Sequence, residues 1–301
     1  MRKTHMRCAG FIFCALLVGT MVLVAGCDEY GGNAFRVERG EETVVDPVAP
    51  LLLQVKTSNG HVNIVGDKEA TQITVAVTLR ANGDSEEEAE DRLERIVYEV
   101  RRESDRIHVL YDANAQDDDV RRHASVGFDI TVPSSCHVIA DTSNGAIGLE
   151  SITGTADLET SNGAIDVYDV VGDLLLDTSN GRIDVSRVEG DIQADTSNGE
   201  VWIHRTVGHV LAETSNGSVR FEGTLVGAGN RLRTGNGSVT MAVPAEASIA
   251  IEATTSLGSI SSRLPLAGDT EGREWSATLN APADVDVSIR TTNGSIRIEE
   301  M

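Results

Sequence analysis

The chain has 301 residues, 47 acidic against 25 basic side chains, a net charge of −22 and only 4% aromatic residues. That balance excludes nucleic acid and an anionic membrane surface as direct partners. So few aromatics suit a thin β body filled by Val, Ile, Leu and Ala rather than a thick core.

Residues 1–26 read as a targeting segment, because Arg2, Lys3 and Arg7 precede an apolar run from Cys8 to Gly26. The run is nearly long enough to span a membrane. It ends, however, in Val24-Ala25-Gly26-Cys27, which resembles the lipobox of bacterial lipoproteins. Cys27 is then the expected lipid attachment point and mature N-terminus, and loss of three cations with residues 1–26 leaves −25. By resemblance to enterobacterial lipoproteins, Asp28 favours the inner membrane, although the choice of membrane stays open. Cys8 and Cys14 leave with the signal, so Cys136 stands alone in the mature chain. No intrachain disulfide and no Cys-based metal site follow, and Cys136 reads as a small buried residue.

Residues 27–46 are polar with little periodicity and read as a flexible tether. Residues 47–135 read as an N-terminal β-rich segment. It opens with a strand pair over Leu51–Val65, which carries Thr57-Ser58-Asn59-Gly60, and a strand over Ile73–Leu79. Asp84 to Arg95 is the one helix signal, a short helix over about 85–95. Asp84 or Ser85 caps it, acids fill its first turn, and Ala89, Leu93 and Ile96 form its apolar stripe. Val97–Glu103 and Ile107–Tyr111 read as a hairpin about Ser104-Asp105, Ala113–Arg122 as an acidic loop, and Gly127–Val132 as a strand.

Residues 136–301 are the repeat region, and five copies of one unit run from Asp141 to Gly217. Each opens with Asp or Glu and continues Thr-Ser-Asn-Gly, with Asn144, Asn162, Asn180, Asn198 and Asn216 spaced by 18. A fixed short period signals stacked coils, none of which buries its apolar side alone. Inside the unit the period is 2: Ile183 and Val185 alternate with Arg182, Asp184 and Ser186. The predicted fold is all-β, a parallel β-solenoid with coils of about 18 residues and two bends per coil. Asn180-Gly181 and Gly190 supply the bends through their access to positive φ. Ile147, Ile165, Ile183, Val201 and Val219 form one inward column; Leu149, Val167, Val185, Ile203 and Phe221 form a second. The five threonines before the Ser-Asn-Gly corner point inward, and the five asparagines stack there as a structural amide ladder. After Gly217 the copies at Thr234, Thr255 and Thr291 are irregular, as a capped end requires, and Arg297, Glu299 and Glu300 protect that edge.

The repeated [D/E]-T-S-N-G-x-[I/V]-x-[V/I/L] units, the leading strand–helix–hairpin segment and the Val132-Pro133 lead-in resemble the adhesin-designated family of bacterial envelope proteins. The likeness covers Leu51 to Met301 and specifies architecture. It implies a surface or interaction role and brings no catalytic residues.

The residues offer little chemistry of their own. None of the seven histidines sits in a metal-binding motif, and no Gly-x-Ser-x-Gly or phosphate loop occurs. No cofactor and no metal are expected. Asp141, Glu159, Asp177, Asp195 and Glu213 should stack about 4.8 Å apart. Ca²⁺ could relieve their repulsion, but the stripe reads as solvated rather than as a cation site. A second outward column runs Asp166, Asp184, Trp202, Arg220, where Trp202 and His204 could face a sugar ring. The first functional reading is therefore a non-enzymatic, lipid-anchored cell-envelope protein whose solenoid surface meets an envelope protein or glycan. The alternatives are a parallel β-helix enzyme acting on polysaccharide, and a structural scaffold or envelope-stress sensor. Enzymes of the β-helix type need long loops between coils, and Asp141–Gly217 has none.

Overall fold

A computed structural model describes residues 16–17, 26–27, 35–47 and 51–301. The targeting segment, apart from Leu16–Leu17 and Gly26, lies outside the described residues, as does the Cys27 side chain. The two-residue strands Leu16–Leu17 and Gly26–Cys27 both pair antiparallel with Phe35–Val45.

Two long sheets, of 14 and 13 strands, face each other across one apolar core. Each repeat gives one strand to each sheet. In one coil, Leu174–Thr178 lies in the second sheet and Ile183–Glu189 in the first. Every strand of the array pairs in parallel with its own copy, as Ile165↔Ile183↔Val201↔Val219 shows. The predicted solenoid and its inward columns are the observed ones: Ile147, Ile165, Ile183, Val201 and Val219 are all buried.

The corner differs from expectation in two respects. The threonines are buried as expected, but the asparagines, expected to stack inward beside them, are on the outside of it and exposed. Alternation carries Leu174, Leu176 and Thr178 inward, and the backbone then turns, which leaves Ser179 and Asn180 facing water. Threonine suits the inner position because its methyl packs in the core while its hydroxyl donates to a glycine carbonyl of the coil before. Thr160, Thr178, Thr196 and Thr214 donate in this way to Gly145, Gly163, Gly181 and Gly199 at 2.9–3.0 Å. The glycine of the corner is also required for a reason other than φ. Gly181 has no positive φ, yet a Cβ there would stand 1.7 Å from the Gly163 carbonyl oxygen. Only at the second bend does φ matter, with Gly190 at +151° and Arg187 at +57°.

The solenoid begins earlier than residue 136. Leu52–Lys56 and Val62–Asp67 form a coil that pairs in parallel with His137–Thr142 and Ile147–Glu150. A further coil, Arg106–Leu110 with Ala124–Pro133, lies beneath it. The boundary expected at 135/136 therefore divides neither sheet, because the 57–60 motif copy stacks directly on the array. In the lower coil the corner is replaced by residues 113–123, which form a 3₁₀ turn and a helix, Asp118–His123, instead of the expected acidic loop. Six residues are too few to display a helical period, but Asp117 caps that helix through bonds from the Asp119 and Val120 amides.

Residues 35–45 are a strand of the first sheet rather than a tether. They pair antiparallel with Ile73–Gly83 over 11 positions. Their polarity hid them: of the inward positions only Val37 and Thr43 are fully buried, and Glu41 accepts a bond from the Tyr98 hydroxyl. The helix Glu86–Arg95 is capped by Ser85 and packs Ala89, Arg92 and Leu93 over these two strands. Its Arg92 and Arg95 grip Asp119 of the second helix, which holds that carboxyl far below the usual carboxylate range.

At the other end the chain leaves sequence order. Val285–Asn293 slots between Asn230–Thr234 and Ile249–Leu257, and Ile296–Glu300 between Val239–Val243 and Ile260–Ser262. Arg297 and Glu299 thus sit on an internal strand, not on the outer edge expected for them. The final layer is the antiparallel set Ile249–Leu257, Glu274–Leu279 and Ala267–Asp269.

Candidate functional site: the outer faces of the two sheets

Stacking turns each outward position into a row along the solenoid axis, so the candidate sites are rows. On the corner, eight asparagines form one polarised ladder. Asn144, Asn162, Asn180, Asn198, Asn216, Asn236 and Asn293 each donate Nδ2 to Oδ1 of the preceding asparagine, starting from Asn59, at 2.6–2.9 Å.

On the second sheet, Asp141, Glu159, Asp177, Asp195 and Glu213 occupy consecutive register positions. Cations close both ends: Lys56 lies 2.7 Å from Asp141, and Arg231 lies 3.0 Å from Glu213. Burial pushes the Asp195 carboxyl pKa up, aided by its neighbours Glu213 and Asp177. Among the described residues no group of three or more His, Cys, Asp or Glu is placed to hold a metal ion.

Two residues back along the same strands runs the row Ile139, Asp157, Leu175, Gln193, Leu211. Leu175 is 42% exposed. Beside it, at the bend, are His137, Thr155, Asp173, Asp191 and His209. His137 Nδ1 lies 2.9 Å from the Thr155 hydroxyl, and the Asp191 amide donates to Asp173 at 3.0 Å. A groove of about 520 Å³ runs between these two rows. Sequence reasoning missed it. The available signal was an apolar residue at an outward position in every second coil.

On the first sheet, Asp166, Asp184, Trp202 and Arg220 are in register as expected. Their side chains are already engaged with neighbours outside the row. The Trp202 ring stacks on His204 at 4.3 Å, His204 lies 3.3 Å from Asp184, Arg182 bonds Asp166, and Arg220 meets Glu200 at 2.9 Å. Trp202 keeps 39% exposure. Three other histidines lie against carboxylates: His61 against Asp129 at 3.0 Å, His108 against Glu103, and His123 against Asp119, which Arg92 and Arg95 also hold. Cys136 is buried, and burial pushes its thiol up to about 12, so it is no nucleophile at neutral pH. No described helix is long and apolar enough to cross a membrane.

The family model for the Toastrack DUF4097 domain matches residues 127–299, more than half of the chain. Three solved structures are similar. A candidate cell adhesion protein of Clostridium sporogenes is 12% identical, with 88% of this chain and 100% of that one covered and a TM-score of 0.28. A candidate adhesin of Bacteroides fragilis is 9% identical, with 87% and 96% covered and a TM-score of 0.38. A candidate adhesin of Parabacteroides distasonis is 11% identical, with 88% and 97% covered and a TM-score of 0.31. No curated protein matches the chain.

Proposed function

The chain belongs to the Toastrack DUF4097 family, and from that premise we propose that it is a non-enzymatic cell-envelope lipoprotein. Lipid on Cys27 holds it at the membrane, and the outer face of the second sheet is its interaction surface, directed at an envelope protein or the cell wall. The observation that carries this reading is the groove between the row of Leu175 and the row of Asp173 and Asp191. An exposed leucine with half-buried Ile139 and Leu211 in its row, rimmed by polar groups, gives a partner both apolar and hydrogen-bonding contacts. The lipobox and the high negative charge agree with a body tethered by lipid rather than by its own surface. Against an enzyme stand the buried Cys136 and the tight bends, which throw out no long loops to close a catalytic cleft over the groove.

The test is site-specific photocrosslinking in intact cells, with the reactive residue in place of Gln193 in the groove or of exposed Glu252 outside it. Crosslinks from position 193 and not from 252 are expected. Equal yield from both positions, or none from 193, would remove the groove face as the interaction surface.

A further inference from the structure

We infer that the groove binds an extended cationic protein segment in polyproline-II conformation, with an apolar residue at every third position. The inference rests on the interaction-surface reading above and names the partner's chemistry.

Width comes first. The two rows bounding the groove are two residues apart along the chain, one on the strands and one at the bend just before them, which sets them no more than about 6.7 Å apart. A helix, about 10–12 Å across with its side chains, does not enter. An extended chain does. Spacing along the axis then selects among extended chains. Ile139, Leu175 and Leu211 stand in alternate coils, with Asp157 and Gln193 between them. Two coils are about 9.6 Å. A polyproline-II chain returns to the same face every three residues, about 9.3 Å. Across three contacts the mismatch stays under about 1 Å. A β-strand repeats its face at about 6.7 Å and loses step after the first contact.

Charge sets the intervening residues. Asp157, Asp173 and Asp191 line the groove, and none of them has a basic side chain within ion-pair distance among the described residues. Glu159, Asp177 and Asp195 add their field from one row further out. A lysine or arginine beside each apolar residue would meet these carboxylates, whereas a neutral chain leaves them uncompensated and an anionic one is repelled. Polyproline II also leaves its own carbonyls and amides free. Thr155, Gln193, His137 and His209 offer hydrogen-bonding groups along the groove to meet them.

The test uses the full acylated chain in lipid nanodiscs and a fluorescent peptide of five Leu-Lys-Pro repeats, read by anisotropy. Saturable binding that weakens with salt is expected. Leu175→Ser should weaken it about tenfold, and so should Asp157→Asn, Asp173→Asn and Asp191→Asn combined. All four sites are exposed, and thermal melts confirm that the variants fold. A peptide of the same composition with leucine at every second position should bind about tenfold more weakly. Equal affinity for that peptide would overturn the inference, as would indifference to the carboxylate variants. A neutral β-linked oligosaccharide that binds in a Leu175-dependent manner, with the peptide inert, would also overturn it. If Gln193 crosslinks form in cells while the peptide is inert, the partner chemistry is wrong and the surface reading stands. If neither occurs, both fall.

Discussion

Gly181→Ala should be among the most damaging one-carbon changes available to this chain. The added Cβ would lie 1.7 Å from the Gly163 carbonyl oxygen and 2.5 Å from its carbon, both backbone atoms that cannot rotate away. Carbon–oxygen contacts settle at about 3.3–3.6 Å, so the two coils must part by more than about 1.5 Å at this corner. Three hydrogen bonds cross the gap there: Thr178 Oγ1 to Gly163 O at 3.0 Å, the Asn180 amide to Ser161 O at 3.0 Å, and Asn180 Nδ2 to Asn162 Oδ1 at 2.9 Å. At about 1 kcal/mol each, their loss costs about 3 kcal/mol, and the buried Thr178 hydroxyl left unpaired adds to it. The unfolded chain stiffened by alanine returns about 0.4–1 kcal/mol, so the net loss is about 2–4 kcal/mol. Gly40→Ala is the matched control, because nothing lies within 4 Å of its added carbon. It should be neutral or slightly stabilising. Urea titration followed by circular dichroism compares the two midpoints. If Gly181→Ala unfolds at the same urea concentration as Gly40→Ala, the corners are not stacked in this register and the rows built on that register dissolve.

Two further outcomes follow from the corner and from the N-terminus. Thr178→Val, nearly the same shape, should cost about 1–2 kcal/mol by removing the bond from this buried position to the half-buried Gly163 carbonyl, while Asn180→Ala at the wet ladder should cost about 0.5–1 kcal/mol; the order of the two urea midpoints is the claim, and its reversal would return the asparagines to the inside. Cys27→Ser should abolish incorporation of a palmitate analogue during metabolic labelling, and equal label in wild type and variant would end the lipoprotein reading.

What could be read in the sequence was whatever the repeat states many times. A spacing of 18 puts like residues in register, and alternation within the unit tells which of them face the core, so Ile183 and Val185 were legible as inward before any coordinates. Alternation placed Thr178 inward correctly but says nothing once the backbone turns, which is why Asn180 was expected inside and is exposed. It also fails where the inward positions of a strand are polar, as at Arg39, Glu41 and Thr43, because their partners come from Tyr98 and other distant residues. Coil order was likewise hidden: Thr255-Ser-Leu-Gly and Thr291-Thr-Asn-Gly are both copies of the motif, and only contacts decide which is outermost. The groove was the least legible feature, because outward residues change from coil to coil. Leu175 looks like one stray leucine until Ile139 and Leu211 are placed in its row.

The out-of-order coil has a physical reason in the ladder itself. A parallel stack with an asparagine at every corner offers a template to any further coil, including one from another molecule. Had the copies stacked in sequence, the last corner would present Asn293 and its unused Oδ1 at the open end. Instead Asn293 is internal, and Leu257 stands beside it in register, 61% exposed and with no amide to continue the chain of bonds. The strand bearing Leu257 then turns its other edge to Glu274–Leu279, which runs antiparallel and cannot present a parallel corner. At the opposite end, the coil below Asn59 has no Thr-Ser-Asn-Gly at all, since residues 113–123 replace the corner, and the strands beyond it are antiparallel. Both ends thus break the same two rules, the amide ladder and the parallel direction, that every coil between them obeys. An open parallel ladder would go on adding copies of the chain, so these two caps keep the array finite.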